Sequence, residues 1–219
     1  MKLKLLLSSG LLGVLIIGKI GSSVAFAEPL PTNEIIVQQS TSQVNTKTTQ
    51  ENIASSALEK YFDLEIDNNI KAEITPFKTD DTANSYGKEY SQIDWNYGNS
   101  KYYVNICIDG QILDMGIIDT TKYSPDITLI DLNESKKIAT DFITEKKLVD
   151  DTSKIEYLGE ATIGPDASAV IYKMGEDKEA VLISVNSISK KVTAITYRNE
   201  NDAKKSIEYS TFRENGLLG

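Results

Sequence analysis

The side chains that could do chemistry in this sequence are carboxylates, phenols and one thiol, because the chain contains no histidine. Without an imidazole, a Ser–His or Cys–His nucleophile pair and a histidine-ligated metal site are excluded. Acidic residues cluster at 63–67, 80–81, 150–151 and 176–177. Two carboxylates can act as acid and base or hold Ca²⁺ only where they converge in a pocket, and D-x-D-x-D-G spacing is absent. Because most clusters fall at predicted turns, we expect solvated loop charge, with weak Ca²⁺ binding as the alternative.

Two further candidate nucleophiles have simpler interpretations. Cys107 lies in a predicted strand with only Lys101 nearby to lower its pKa, so we expect a small packed residue, or alternatively a thiol that pairs with a second chain. Residues 187–190 match the S-x-x-K motif, but they are predicted to bridge two strands, and neither S-D-N nor K-T-G follows. We therefore predict no catalytic residue, no metal site and no cofactor.

Aromatic residues concentrate in one short stretch. Six fall within eighteen residues, namely Tyr86, Tyr90, Trp95, Tyr97, Tyr102 and Tyr103. Trp95, Tyr97 and Tyr102 share an apolar strand face and are predicted to pack in the core. The other three do not fit that face, and tyrosine gives a large contact area at little entropic cost. We predict that Tyr86, Tyr90 and Tyr103 bind a protein or a glycan, with a purely structural role as the alternative.

The first 27 residues have the pattern of a secretory signal peptide. Lys2 and Lys4 precede an apolar run over 5–17, and Ala25-Phe26-Ala27 forms an A-x-A cleavage site. The apolar run is shorter than the roughly 20 residues that a spanning helix needs, so no stable membrane span is expected after signal removal.

The chain without its signal peptide is strongly acidic. Removal of Lys2, Lys4 and Lys19 with the signal peptide leaves 20 basic and 32 acidic residues, a net charge of −12. Such a surface repels nucleic acid.

The rest of the chain divides into a spacer and two similar segments. Residues 28–47 are polar and aperiodic, which is typical of a disordered spacer. A capping box at 48–51 introduces a helix, and Asp131 introduces a second helix whose apolar stripe matches the first at an offset of 85. Both helices precede alternating apolar and polar residues, as strands require.

The strands after each helix also match one another. Ile93 to Ile108 superimpose on Val170 to Val185 at an offset of 77, and later strands match at 80. The predicted fold is α+β, with two tandem repeats over 48–120 and 131–198, each a helix followed by an antiparallel β-meander. Residues 199–219 are predicted to be a polar tail or an edge strand. The alternative is that two stretches of similar amphipathic pattern agree by chance.

The last predicted hairpin resembles a known family. Its pattern V-x-I-x-V-turn-K-K-V-x-A-I, from Val181 to Ile195, looks like a PepSY domain, and a looser V-x-I-x-I-D-G-Q-I runs from Val104 to Ile112. The tandem arrangement is similar to the YcdB/YcdC repeated domains of secreted bacterial proteins. The resemblance implies a non-catalytic, extracytoplasmic module that accompanies proteases as a propeptide or inhibitor. No peptidase region is attached here, and the glycine expected in the last turn is replaced by Lys190 and Lys191.

Together these features predict a secreted, non-catalytic binding module of a bacterial cell envelope. It would modulate an extracellular protease or bind an envelope component, so the expected partner is an extracellular protein or an envelope glycan. Two alternatives stay open, which are a structural or assembly protein of the envelope and a hydrolase that uses carboxylates alone. The pattern does not determine the oligomeric state.

Overall fold

One eight-stranded antiparallel sheet and three α-helices make up the part of the chain that the computed structural model describes, residues 49–67, 69–119, 130–163, 166–175 and 179–214. The predicted signal peptide and spacer lie outside these residues. In chain order the elements are α1 (helical over 49–62), β1 (Glu73–Phe77), β2 (Tyr90–Tyr97), β3 (Ser100–Cys107), β4 (Ile112–Asp119), α2 (Leu132–Glu145), a 3₁₀ turn (Thr152–Lys154), β5 (Ile155–Thr162), β6 (Ala167–Met174), β7 (Glu179–Asn186), β8 (Val192–Asn199) and α3 (Glu200–Glu214). The predicted α+β class is confirmed.

The sheet consists of two four-stranded meanders joined along their last strands. Its order is β1-β2-β3-β4-β8-β7-β6-β5, so β1 and β5 lie at its two edges. The strands β4 and β8 pair through Asp114↔Thr196, Met115↔Ile195 and Gly116↔Ala194. We call α1 with β1–β4 the first half, α2 with β5–β8 the second half, and the β4–β8 contact the seam.

The helices α1 and α2 pack on the same face of the sheet, which we call the front face. Ala54 and Leu58 of α1 and Ala139 and Ile143 of α2 are fully buried there. These residues recur at i and i+4, so each helix presents one apolar stripe to the strands. A residue with positive φ follows each helix, namely Asp63 directly after α1 and Lys147 two residues after the end of α2. The predicted amphipathic stripes of both helices are confirmed.

The opposite, back face is covered differently in the two halves. In the second half, α3 packs Ala203 and Ile207 against strand residues Ala161, Ala169, Ile171, Ala180 and Leu182. In the first half, loop 78–89, which connects β1 to β2, contributes Tyr86 to a cluster with Phe77, Tyr90, Cys107 and Leu113. The prediction of a polar tail or an edge strand over 199–219 is wrong for residues 200–214, which form a helix.

The strand register corrects one predicted offset. Ile93 pairs with Val104, and the corresponding Val170 pairs with Ile183. Val104 therefore corresponds to Ile183 at an offset of 79, because the β6–β7 turn is two residues longer than the β2–β3 turn. Two residues are one full strand period, so the same side chains still point to the same face. The predicted offset of 80 agrees with the pairing of the last strands.

Tyr97 is not a core residue, although its place in the alternation predicted one. Trp95 is 1% exposed, whereas Tyr97, two residues later, is 55% exposed. Tyr97 ends β2 beside the turn at Gly98, where it stacks on Tyr102 with ring centroids 6.3 Å apart. The strand there extends past the part of the front face that buries Trp95.

Candidate functional site

The carboxylate of Asp114 lies at the centre of a hydroxyl network on the back face. The phenol of Tyr86 donates to its Oδ2 at 2.9 Å, and that of Tyr103 donates to its Oδ1 at 3.2 Å. The hydroxyl of Thr196 also donates to Oδ1, at 3.0 Å. Because Met115 and Ile195 point into the front core, their neighbours Asp114 and Thr196 point to the back. The network thereby joins loop 78–89, β3, β4 and β8.

Burial governs the electrostatics of this network. Desolvation raises the pKa of Asp114, while the three hydroxyl hydrogen bonds and the charge of Arg198 act in the opposite direction. Burial and the nearby Asp114 charge raise the pKa values of Tyr86 and Tyr103. Both phenols therefore stay protonated at neutral pH and act as donors. Each Asp114 oxygen already accepts at least one hydrogen bond, so this arrangement anchors the back face.

The structure brings the three predicted tyrosines together but does not place them on an open surface. Tyr90 is buried, and its ring stacks on Phe77 at 4.8 Å and meets the edge of Tyr86 at 5.1 Å. Tyr86 and Tyr103 are half-buried, with both phenols committed to Asp114. Loop 78–89, which contributes Tyr86 itself, covers this part of the back face. Their role in binding a partner stays a prediction.

Cys107 belongs to the same back-face cluster. Its thiol is buried beside Tyr90 and Leu113, and burial followed by the charge of Asp109 raises its pKa. A thiol with a raised pKa is a poor nucleophile at neutral pH. The prediction of a small packed residue is confirmed.

Arg198 holds loop 78–89 in place. Its guanidinium lies over the Tyr86 ring, with Cζ 4.3 Å from the ring centroid, and its Nη1 donates to the carbonyl of Ser85 at 3.1 Å. Within the loop, the side-chain amide of Asn84 donates to the carbonyls of Lys78 and Lys88 at 2.8 and 2.7 Å. The loop is thus fixed both internally and to β8.

A cavity of about 170 Å³ lies between loop 78–89 and the start of α3. Tyr86, Leu113 and Tyr197 form its apolar part. Four charged side chains also line it, namely Lys88, Glu179, Arg198 and Asp202. A concave, partly apolar surface with a few converging polar groups is the usual form of a small-ligand site.

The charges of this cavity differ in how they are neutralised. Asp202 pairs with Lys205 at 2.8 Å and accepts from the side-chain amide of Asn199. The ammonium of Lys88 donates to Gln111 Oε1 at 2.9 Å. Among the described residues, Lys88, Glu179 and Arg198 form no ion pair. Two cations and one anion therefore line the cavity without an ion pair among the described residues, and the charge of Arg198 also acts on the nearby carboxylates of Asp114 and Asp202.

Asp114, Thr196 and Arg198 were missed as site residues when the sequence was read alone. Arg198 is one of only two arginines in the chain, which is a signal that could have identified it. Asp114 carried the weaker signal of a charged residue between Leu113 and Met115 in a predicted strand. Neither signal indicates that the two residues approach the same loop, because that depends on the seam.

The acidic side chains of the clusters at 63–67, 80–81 and 150–151 are exposed and lie outside helices and strands. Asp63 is 80% exposed and pairs with Lys146, and Asp151 caps the 3₁₀ turn by accepting from Ser153. Within the described ranges, no group of three or more His, Cys, Asp or Glu side chains is arranged to hold a metal ion. The cluster at 176–177 lies outside those ranges.

No helix in the described part of the chain has the length and apolar character required to cross a bilayer.

Comparisons with known proteins give one weak structural likeness. No protein-family model and no curated protein matches the sequence. Among solved structures, the fold is similar to the Bacillus megaterium YpeB C-terminal domain, with 13% identity and a TM-score of 0.46. The match covers 71% of this chain and 65% of that domain. The predicted PepSY-like relationship stays a prediction.

Proposed function

We propose that this chain is a secreted, non-catalytic binding module of the bacterial cell envelope, and that its partner engages the cavity between loop 78–89 and α3. The observation that carries this proposal is a partly apolar cavity lined by charges that form no ion pair with a described residue. Among the described residues, Lys88 and Arg198 form no ion pair, in a chain with a net charge of −9. An unneutralised charge beside apolar surface is a favourable contact point for a ligand of opposite charge.

The module itself is proposed to be PepSY-like and duplicated, with copies over 48–120 and 131–198. Support comes from corresponding positions in the two halves. The register shifts between Asn105 and Ile106 in the β3–β4 pair and between Ser184 and Val185 in the β7–β8 pair, so a bulged residue lies at Leu113 in β4 and at Thr193 in β8, at the offset of 80. Bulges are conserved features of strand pairing, so a shared position favours a common origin. The copies differ on the back face, and the cavity lies where they differ.

The network around Asp114 supports binding over catalysis. Its carboxylate already accepts three hydroxyl hydrogen bonds, and Asp94 on the same face is held by Lys101 at 2.9 Å and by Gln92. A carboxylate hydrolase needs one acid to protonate the leaving group and a second acid facing it across a cleft. We therefore propose an extracellular protein, including a protease that the module modulates, or an envelope glycan as the partner.

Retention of partners by an immobilised protein tests the proposal. The secreted chain, its Lys88→Glu variant and a matched Lys191→Glu control would each be exposed to secreted proteins and to purified cell wall. Lys191 is exposed on the β7–β8 turn and does not line the cavity. We expect one partner, identified by mass spectrometry, to be lost from Lys88→Glu and kept by Lys191→Glu. Equal retention by all three proteins would contradict the proposal that the cavity binds the partner. It would favour a structural role for this part of the protein.

A further inference from the structure

We propose that the cavity recognises an α-carboxylate attached to an apolar or aromatic side chain, as found in a free amino acid or in the last residue of a peptide. This inference rests on the proposed binding function and specifies the chemistry of the ligand. It is argued from the two cations, the apolar wall and the volume of the cavity.

Arg198 is the better placed of the two cations for a carboxylate. Its guanidinium lies against the Tyr86 ring, and its Nη1 donates to the carbonyl of Ser85. A guanidinium carries five N–H donors in one plane and suits the two oxygens of a carboxylate. Because its orientation is already fixed, little side-chain freedom remains to be lost on binding. Lys88, held by Gln111, adds a second positive charge to the same cavity.

The apolar wall and the volume limit what accompanies the carboxylate. Tyr86, Leu113 and Tyr197 provide an aromatic and aliphatic surface. A volume of about 170 Å³ equals that of roughly six water molecules at about 30 Å³ each. That space suits one amino-acid residue and is below the roughly 300 Å³ at which pockets for drug-sized ligands begin.

Glu179 distinguishes the two sources of this ligand. Its carboxylate lines the cavity, is exposed and forms no ion pair with a described residue. A free amino acid has an ammonium group that could pair with Glu179, whereas the last residue of a peptide has an amide nitrogen in that place. The carboxylate is common to both sources.

Calorimetric titration with three related compounds tests the chemistry. Phenylalanine has both charged groups, N-acetylphenylalanine has only the carboxylate, and phenylalanine amide has only the ammonium. Binding of the first two, with at least a tenfold loss for the amide, is the expected result. Stronger binding of N-acetylphenylalanine indicates a peptide end, and stronger binding of phenylalanine indicates a free amino acid. Binding of the amide at the strength of the acids, or binding of none of the three, overturns the inference.

Two variants check that the cavity is responsible. Lys88→Gln should weaken binding of the carboxylates about two- to fivefold, the range for an exposed charge, and Lys191→Gln should leave it unchanged. Lys88 is exposed, so its replacement does not threaten the fold. If Lys88→Glu loses the envelope partner while no carboxylate compound binds the wild type, the inference fails and the proposed function stands. If the compounds bind to the wild type while no envelope partner is retained, the carboxylate inference stands and the proposed envelope partner fails.

Discussion

At the scale of single residues, the back face of the first half depends on how Asp114 is satisfied. A carboxylate removed from water is costly unless hydrogen bonds replace its hydration. Tyr86, Tyr103 and Thr196 supply these bonds from three different elements. Tyr86 and Tyr103 were predicted from the sequence to bind a partner; the structure shows that both phenols donate to Asp114, and partner binding by them stays a prediction.

Replacing Tyr86 by Phe should destabilise the protein. The variant keeps the ring that lies under Arg198 and beside Tyr90 but removes one donor to the Asp114 carboxylate. We expect the free energy of unfolding in urea to fall by about 1.5–3 kcal/mol, the usual range for a hydrogen bond to a charged group. Tyr97→Phe is the matched control and should be neutral, because Tyr97 is 55% exposed. Equal stability of the two variants would show that the network contributes nothing.

The raised pKa of Asp114 gives stability a defined pH dependence. Because its pKa is higher in the folded than in the unfolded state, the folded state binds more protons in the interval above the ordinary value of 3.8. The contribution of Asp114 to stability is therefore greatest below that value and declines as the pH rises towards the folded pKa. Asp151 and Asp202 have lowered pKa values, so their contributions are lost as the pH falls.

The difference between wild type and Asp114→Asn isolates this effect. Both proteins share Asp151 and Asp202, so their contributions cancel in the difference. We expect the unfolding free energy of the wild type, minus that of the variant, to decrease as the pH rises from about 3.8 and then to become constant. Urea titrations at successive pH values measure it. A difference that increases with pH would mean that the Asp114 pKa is lowered by folding.

At the scale of elements, the sequence predicts those that show a strong apolar period. Ala54 and Leu58, like Ala139 and Ile143, mark one helical stripe, and both helices were predicted. Among the α3 residues whose side chains the structure describes, Ala203 and Ile207 are the apolar ones that pack on the sheet, and their neighbours are polar, so the apolar period was too weak to predict a helix. Strand alternation predicts a face but not a register, because a shift of two residues keeps the face. That is why the offset of β7 was wrong by two.

The site was less predictable than the fold for a related reason. Loop 78–89 has no periodic pattern, and its position depends on Arg198, which lies 113 residues from Ser85 in the sequence. A contact of that range becomes visible only when β8 pairs with β4. The tyrosine excess marks the region of this loop, where Tyr86 packs against Tyr90 and also lines the cavity.

The seam between β4 and β8 depends on a close approach at Gly116. A Cβ at this position would lie 2.5 Å from the carbonyl oxygen of Thr193 and 2.8 Å from the Cβ of Ala194. Gly116→Ala should therefore separate the two strands and lower the unfolding free energy by about 1–3 kcal/mol, the usual cost of overpacking. Ile118→Ala, an exposed change on the same strand, should stay within about 0.5 kcal/mol. Thermal or urea unfolding distinguishes the two variants. An unchanged unfolding free energy for Gly116→Ala would mean that β4 and β8 can move apart at this position without loss of stability.

At the scale of the whole molecule, the two halves share one front core. Trp95 and Val104 of the first half belong to the same buried cluster as Ile183 and Ile195 of the second. The ion pair between Lys146 and Asp63, at 2.7 Å, adds a link between the ends of α2 and α1. Neither half covers its inner strand without the other, because β4 pairs with β8. The halves are therefore expected to unfold together.

A substitution in the second half should be detected by a probe in the first. Ile183 is fully buried, so Ile183→Ala should lower the unfolding free energy by about 2–5 kcal/mol through lost contacts and a cavity. Trp95, the only tryptophan, reports on the first half through its fluorescence. If the halves form one cooperative unit, the fluorescence and far-UV circular dichroism midpoints in urea shift together and by the same amount. A Trp95 transition that stays at the wild-type midpoint while the dichroism shifts would instead mean that each half folds alone and that the seam joins two independently stable units.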